Sequence, residues 1–228
     1  MVTNPLIYYK KHTDYFKSIY SLCPVDHGWS HIVDVVWNAR SVCMANNIPY
    51  TKEIELGAIL HDIGNRVSRD RHNEISAQMV PEILEHLQIN DVDVEDIQNG
   101  CRYHRASEKA DISTMSITVG VISAADRMRP STNKEDLLRD VVWRAIQYSM
   151  THTEEVEDTS DPIYSGWKWV VDTYTTDNAR SKYYSDLYRN TFERQLNLQK
   201  DLVKNLTLEE VREWCKREKG IGAEISVS

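Results

Sequence analysis

The sequence predicts an all-α fold. Glycine and proline are scarce, at 8 and 6 in 228 residues. Apolar residues recur at three- and four-residue steps, and alternating strand patterns are hard to find. A hydrophobic fraction of 41% supports a real core. The expectation is a helical bundle with additional C-terminal helices. Residues 1–228 are read as one domain, with a core at about 25–130 and an extension at about 131–220.

Residues 5–22 carry Leu6, Ile7, Tyr9, Phe16, Ile19 and Tyr20 at loosely helical spacing. Pro24 and Asp26-His27-Gly28 break the pattern. A helix follows from Trp29 to Ala45, closed by Asn46-Asn47 and Pro49. Thr51 is a good N-cap for the next helix. Ile54 stands where a capping box would need Glu or Gln. Glu53 and Glu55 put negative charge in the first turn, which suits the helix dipole. That helix runs through Leu60 to His61-Asp62, and Gly64 is placed to stop it. Asn65–Arg71 is a polar loop carrying Arg66, Arg69 and Arg71. His72 opens another helix, with Pro81 predicting a kink or restart inside it. Further helices are expected at about 94–105, 112–128 and 134–150. An acidic loop or boundary spans 151–162. Two or three more helices occupy about 163–218, the last opened by Thr207-Leu208-Glu209-Glu210.

Composition excludes some functions. A formal net charge of -8 argues against broad nucleic-acid or anionic-membrane binding by bulk attraction. No run approaches the roughly 20 apolar residues that a membrane helix needs. The N-terminus lacks the apolar core of a signal peptide. Cys23, Cys43, Cys101 and Cys215 form no CxxC pair, so no disulfide framework is expected. A reducing, cytoplasmic setting is the expectation. Six Trp and 12 Tyr against two Phe put many polar-ended rings near surfaces or clefts.

The chemistry centres on Ala58-Ile59-Leu60-His61-Asp62-Ile63-Gly64. Two ionisable side chains ending an apolar helix need a reason, because unpaired burial is costly. His31, His61, Asp62, His72, His104 and Asp126 all fall on or beside predicted helices, mostly where an apolar stretch ends. An antiparallel bundle can bring such residues to one level. Neutral imidazoles with carboxylates suit first-row divalent metals. Four such groups serve one ion; six can serve two. Arg66, Arg102, Arg105 and Arg127 lie near these residues in sequence, and a guanidinium fork can clamp phosphate oxygens. Each one alone is more simply read as a solvated charge or a structural ion pair.

The ordered set His31…His61-Asp62…Asp126 resembles the HD superfamily of metal-dependent phosphohydrolases. The resemblance covers roughly residues 25–130 and is carried by Ile59–Gly64 and by Ile122-Ser123-Ala124-Ala125-Asp126-Arg127. His72-Asn73-Glu74-Ile75-Ser76-Ala77 and Cys101-Arg102-Tyr103-His104 are similar to the extra histidines of the six-ligand branch. That branch holds two-metal hydrolases and diiron oxygenases. The resemblance implies an HD-domain helical bundle. It implies that His31, His61, Asp62 and Asp126 hold one ion, and that His72 and His104 hold a second, with Asp62 as the bridge. His27-Gly28-Trp29-Ser30-His31 is similar to the opening of HD nucleotide pyrophosphatases. The chain departs from those enzymes at Gly28 and Asp34, and at Asn65 and Arg66 where a lysine is usual.

The expected function is metal-dependent hydrolysis of a phosphate ester or phosphoanhydride, in a nucleotide by the family link. One or two divalent ions per chain are expected (Fe, Mn, Co or Mg). Asp62 would combine ligation with orienting the nucleophile; His27, Arg66 and Arg105 would hold substrate. The expected partner is a small phosphorylated molecule, with the C-terminal helices available for a homodimer or a lid. Two other classes fit the same residues: an HD-type diiron oxygenase and a non-enzymatic, metal-stabilised regulatory module.

Overall fold

A computed structural model describes residues 6–24, 27–105, 115–127, 129–150, 161–174 and 185–217, with side chains described only to 145 in the fourth stretch. Among these residues there are ten α-helices and no strand: α1 (Thr13–Tyr20), α2 (Trp29–Ala45), α3 (Lys52–Leu60), α4 (His72–His86), α5 (Val94–Tyr103), α6 (Ile117–Ala125), α7 (Lys134–Met150), α8 (Pro162–Tyr174), α9 (Asp186–Lys204) and α10 (Leu208–Arg217). None of the helices is long and apolar enough to cross a membrane. The chain divides into two compact units, residues 1–129 with 185–191, and 130–184 with 192–228. The expected acidic loop lies mostly outside the described residues, as does the start of the predicted 112–128 helix.

In the first unit, helix boundaries follow local chemistry. Thr51 caps α3 by accepting from Ile54 N at 3.3 Å. Asp93 caps α5, accepting from Asp96 N at 3.1 Å. Ser116 caps α6, accepting from Val119 N at 3.4 Å. The Asn46-Asn47 stop is a left-handed cap. Asn47 sits at φ 54°, and Ile48 N donates back to Cys43 O at 2.9 Å.

Two expectations are corrected. Pro81 does not restart its helix; α4 runs unbroken from His72 to His86. Proline has no N–H to offer the carbonyl four residues back. The Gln98 side chain on α5 supplies the donor instead, bonding Ala77 O at 2.9 Å. Gly64 is not the stop for α3, which ends at Leu60 and gives way to a 3-10 turn at Ile63–Arg66. A Cβ on Gly64 would lie 2.2 Å from His72 O. Glycine is needed there for close approach of two backbone segments, not for a cap.

Helices α2, α3 and α6 pack on one another, and α5 packs on α3, α6 and α4. The contact of α3, α5 and α6 turns on Ile122. Its Cδ1 lies 2.1 Å from where a Cβ on Gly57 would be, and 2.5 Å from where one on Gly100 would be. The two glycines form a hole for one isoleucine knob. Gly57, Gly100 and Ile122 stand one helical turn before His61, His104 and Asp126 respectively. The packing thus fixes the relative height of three helix ends.

The N-terminal segment is tied to this bundle by Glu55. Its side chain is fully buried, at 0% exposure. It accepts from Ile7 N, Tyr8 N and Tyr9 N, each at 2.9 Å. Its main task is this tertiary anchor, which a reading of first-turn charge misses.

The second unit has its own core: Leu137, Val141 and Val142 of α7, Val170 and Tyr174 of α8, and Val211 and Trp214 of α10. Gly166 lets α8 reach the α7 backbone, since a Cβ there would fall 2.4 Å from Val141 O. Trp167 donates its indole N–H to Leu206 O at 3.0 Å. The start of α10 is a capping box. Thr207 Oγ1 accepts from Glu210 N at 3.2 Å, and Glu210 accepts from Thr207 N at 3.1 Å.

Asp140 on α7 is 5% exposed, and neither carboxylate oxygen finds a donor among the described residues. Burial raises its pKa to about 6 from the usual 3.8, against the lowering pull of Arg144. The folded state therefore holds a proton that the unfolded chain releases. Stability from this group is greatest below about pH 4 and falls as pH rises through about 6. Asp140→Asn is expected to raise stability near neutral pH by about 1–3 kcal/mol. It should also flatten the pH slope between those values. Urea unfolding across pH reads both effects; an unchanged slope would refute this account of Asp140.

Candidate metal centre

The donors come from helix ends. His31 lies in the first turn of α2. His61, His104 and Asp126 are the C-caps of α3, α5 and α6. Helix C-termini carry partial negative charge, so three of them beside one cluster favour a cation. His72 is the first residue of α4. Asp62 follows the end of α3 with φ -108° and ψ 4°, in the sparsely allowed bridge region where many active-site residues sit.

Asp62 is 2% exposed and stands at the centre. Its two oxygens face different partners. Oδ2 lies 3.3 Å from His31 Nε2 and 3.5 Å from His61 Nε2. Oδ1 lies 3.2 Å from His72 Nε2 and 3.7 Å from His104 Nε2. Asp126 Oδ1 closes the first group, 3.3 Å from His31 Nε2 and 3.4 Å from His61 Nε2. Two donor sets result, each within metal-binding reach: His31, His61, Asp62 and Asp126, and then Asp62, His72 and His104.

Backbone carbonyls orient three of the rings. His61 Nδ1 bonds Ala58 O at 3.0 Å, His72 Nδ1 bonds Arg69 O at 2.6 Å, and His104 Nδ1 bonds Cys101 O at 2.6 Å. A carbonyl only accepts, so each Nδ1 carries its proton and each ring turns its Nε2 inward, as a lone pair whenever the ring is neutral. His72 Nε2 and His104 Nε2 then face each other at 3.2 Å, beside a carboxylate oxygen. Two lone pairs and an anionic oxygen converging on one point repel unless a cation lies among them. In the first set, the Nε2 atoms of His31 and His61 are buried without a hydrogen-bond partner among the described residues. Buried polar atoms are rarely left so. Both donor sets therefore fit a divalent cation.

Electrostatics separates the two sets. Burial opposes ionisation of Asp62 and Asp126, but the surrounding histidines outweigh it and hold both carboxyls well below the usual range. Burial likewise works against charge on His31, yet the carboxylates of Asp126 and Asp62 raise it to about 10. His61 also moves up, against its burial, through Asp62 and Asp126. On the other side burial wins. His72 is lowered, and His104 falls to about 4 through burial and the neighbouring His61 charge. Neutral imidazole is the form a metal needs.

His27 joins the cluster from the residues before α2, its Nδ1 2.6 Å from Asp62 Oδ2. Arg105 stands at the edge. It donates to Asp70 O at 3.3 Å, and its charge adds to the lowering of His72 after burial. Arg66 is exposed, and its charge is felt at Tyr15 and Cys23. Arg102 is a structural ion pair, with Nε bonded to Glu74 Oε2 at 3.2 Å and Nη1 to Asn99 Oδ1 at 3.3 Å.

Six of the other eight sequence-predicted site residues thus gather around Asp62. Residues 28–130 match the family model described as HD domain. That stretch, a little under half of the chain, is similar to the HD domain. No curated protein and no solved structure matches the chain. The HD superfamily is one of metal-dependent phosphohydrolases, and the buried His/Asp cluster is compatible with its metal-binding motif. Outside the motif, Ser76 accepts from Gly64 N at 2.9 Å and pins the turn after His61-Asp62. Asn73 donates to Arg102 O at 2.9 Å and ties α4 to the end of α5. Neither had a sequence signal beyond lying inside the His72 helix.

Proposed function

We propose that this protein hydrolyses a phosphate ester or phosphoanhydride, with a nucleotide as substrate, using two divalent ions that share Asp62. The observation that carries the reading is the division of Asp62: one oxygen toward His31 and His61, the other toward His72 and His104. A carboxylate so shared suits two cations better than one. His31, His61, Asp62 and Asp126 would hold the first ion, and Asp62, His72 and His104 the second. Bound ions of this kind lower the pKa of water and neutralise charge on phosphoryl oxygens.

The chain's own groups do the rest. The Nδ1 of His27 lies at hydrogen-bond distance from Asp62 Oδ2 and fixes that carboxylate at the partly open side of the cluster. Arg105 puts positive charge beside His72, where a substrate phosphate would dock. Arg66, exposed at the end of the 3-10 turn, is a second anchor for the same anion. Iron, manganese, cobalt or magnesium are the ions to try, since imidazole and carboxylate donors suit the first three and carboxylate suits the last.

The test is turnover. Purified protein is supplied with each metal in turn, and nucleotides are screened for release of phosphate or pyrophosphate. Release that depends on added metal supports the reading. No release with any metal or nucleotide, from protein shown to bind metal, counts against it.

A further inference from the structure

Helix α2 delivers more than His31 to the centre. Asn38, seven residues on, lies on the same face of the helix two turns away. It is 4% exposed, on a face otherwise made of Val35, Val42 and their neighbours. Its amide Nδ2 donates to Ala125 O at 2.9 Å and to Arg127 O at 3.4 Å. Those carbonyls flank Asp126. The Nε of Arg129 in turn donates to Asn38 Oδ1. That bond orients the amide, because it commits the oxygen to Arg129 and leaves the nitrogen for the carbonyls.

We propose that Asn38 is the positioning residue for Asp126, with Arg129 locking its orientation. The inference rests on the reading of the cluster as a cation site. Helix C-termini leave unpaired carbonyls that must find donors. At the end of α6 one buried amide supplies them on both sides of the candidate ligand. The same helix therefore sets both His31 and the backbone that carries Asp126, whose Oδ1 stands 3.3 Å from His31 Nε2. Nothing comparable reaches from Asn38 to the His72 and His104 pair, so its influence falls on one donor set. The polar residue on an apolar face was the sequence signal available for it.

The test uses Co(II), whose visible absorption reports ligand geometry, titrated into the full-length chain and followed with total bound metal. Asn38→Asp keeps the size but turns an acceptor toward two carbonyls. Outer-shell changes of this kind typically weaken metal binding by about 10–100-fold. The expected result is such a loss for one of two equivalents, with a changed spectrum, while the other equivalent keeps its affinity. Arg129→Met, which leaves Asn38 in place and frees its amide to rotate, should weaken the same equivalent less. It serves as the second variant should Asn38→Asp fail to fold. Equal affinity and spectrum in wild type and a folded variant would overturn the positioning role alone. Equal loss of both equivalents would also overturn it. A wild-type chain that binds no Co(II) would overturn the cation site itself.

Discussion

Asp62→Ala is expected to abolish turnover and to strip both ions from the chain. Its carboxylate is, among the described residues, the one group within 3.7 Å of all four histidine Nε2 atoms of the two donor sets. Removing it leaves the first set with His31, His61 and Asp126, and the second with two imidazoles. Changes one shell further out already cost about 10–100-fold, so loss of the shared ligand should exceed about a hundredfold. The contrast is His104→Ala, which removes a donor from one set only. That variant should keep one ion and a structure close to wild type. Elemental analysis of each dialysed variant, paired with initial rates under added metal, checks both. Turnover in Asp62→Ala within a fewfold of wild type would refute the role assigned to it.

The largest effect on stability is expected from Glu55→Ala. A fully buried carboxylate takes three backbone N–H groups at 2.9 Å. Hydrogen bonds to charged groups contribute about 1.5–3 kcal/mol each, and they do not simply add. The loss should be about 3–4 kcal/mol, because the donors lose their acceptor and the segment Ile7–Tyr9 is freed. Glu55→Gln retains one oxygen acceptor and should cost less. The urea midpoint measures it. Equal midpoints for Glu55→Ala and wild type would mean that the N-terminal anchor contributes nothing.

What the sequence made legible follows a physical line. The spans of α2 and α7 and the Thr51 cap could be read because they depend on residues within a turn or two. The donors His31, His61, Asp62, His72, His104 and Asp126 could be gathered because most of them end or interrupt an apolar run, and because their order resembled a known pattern. The features that stayed hidden depend on a partner far along the chain. Gly57 and Gly100 look like helix weaknesses until Ile122 fills the hole between them. Pro81 looks like a break until Gln98 replaces its missing donor. Gly64 looks like a stop signal until the His72 backbone arrives beside it. Glu55 looks like a first-turn charge until Ile7–Tyr9 come into view, and Asn38 is an unexplained polar residue on an apolar face until the end of α6 arrives beside it. Local periodicity carries no record of such pairings. The arginines show the converse: proximity in sequence grouped Arg66, Arg102 and Arg105, while the fold gives Arg102 to Glu74.

The central claim is that one carboxylate, Asp62, joins two cation positions. It is tested most directly by the metal content of the purified chain after loading with Mn, Fe or Co and removal of free ion. The account predicts two ions per wild-type chain, falling to one in His104→Ala and to none in Asp62→Ala. One ion per wild-type chain, unchanged in His104→Ala, would contradict it.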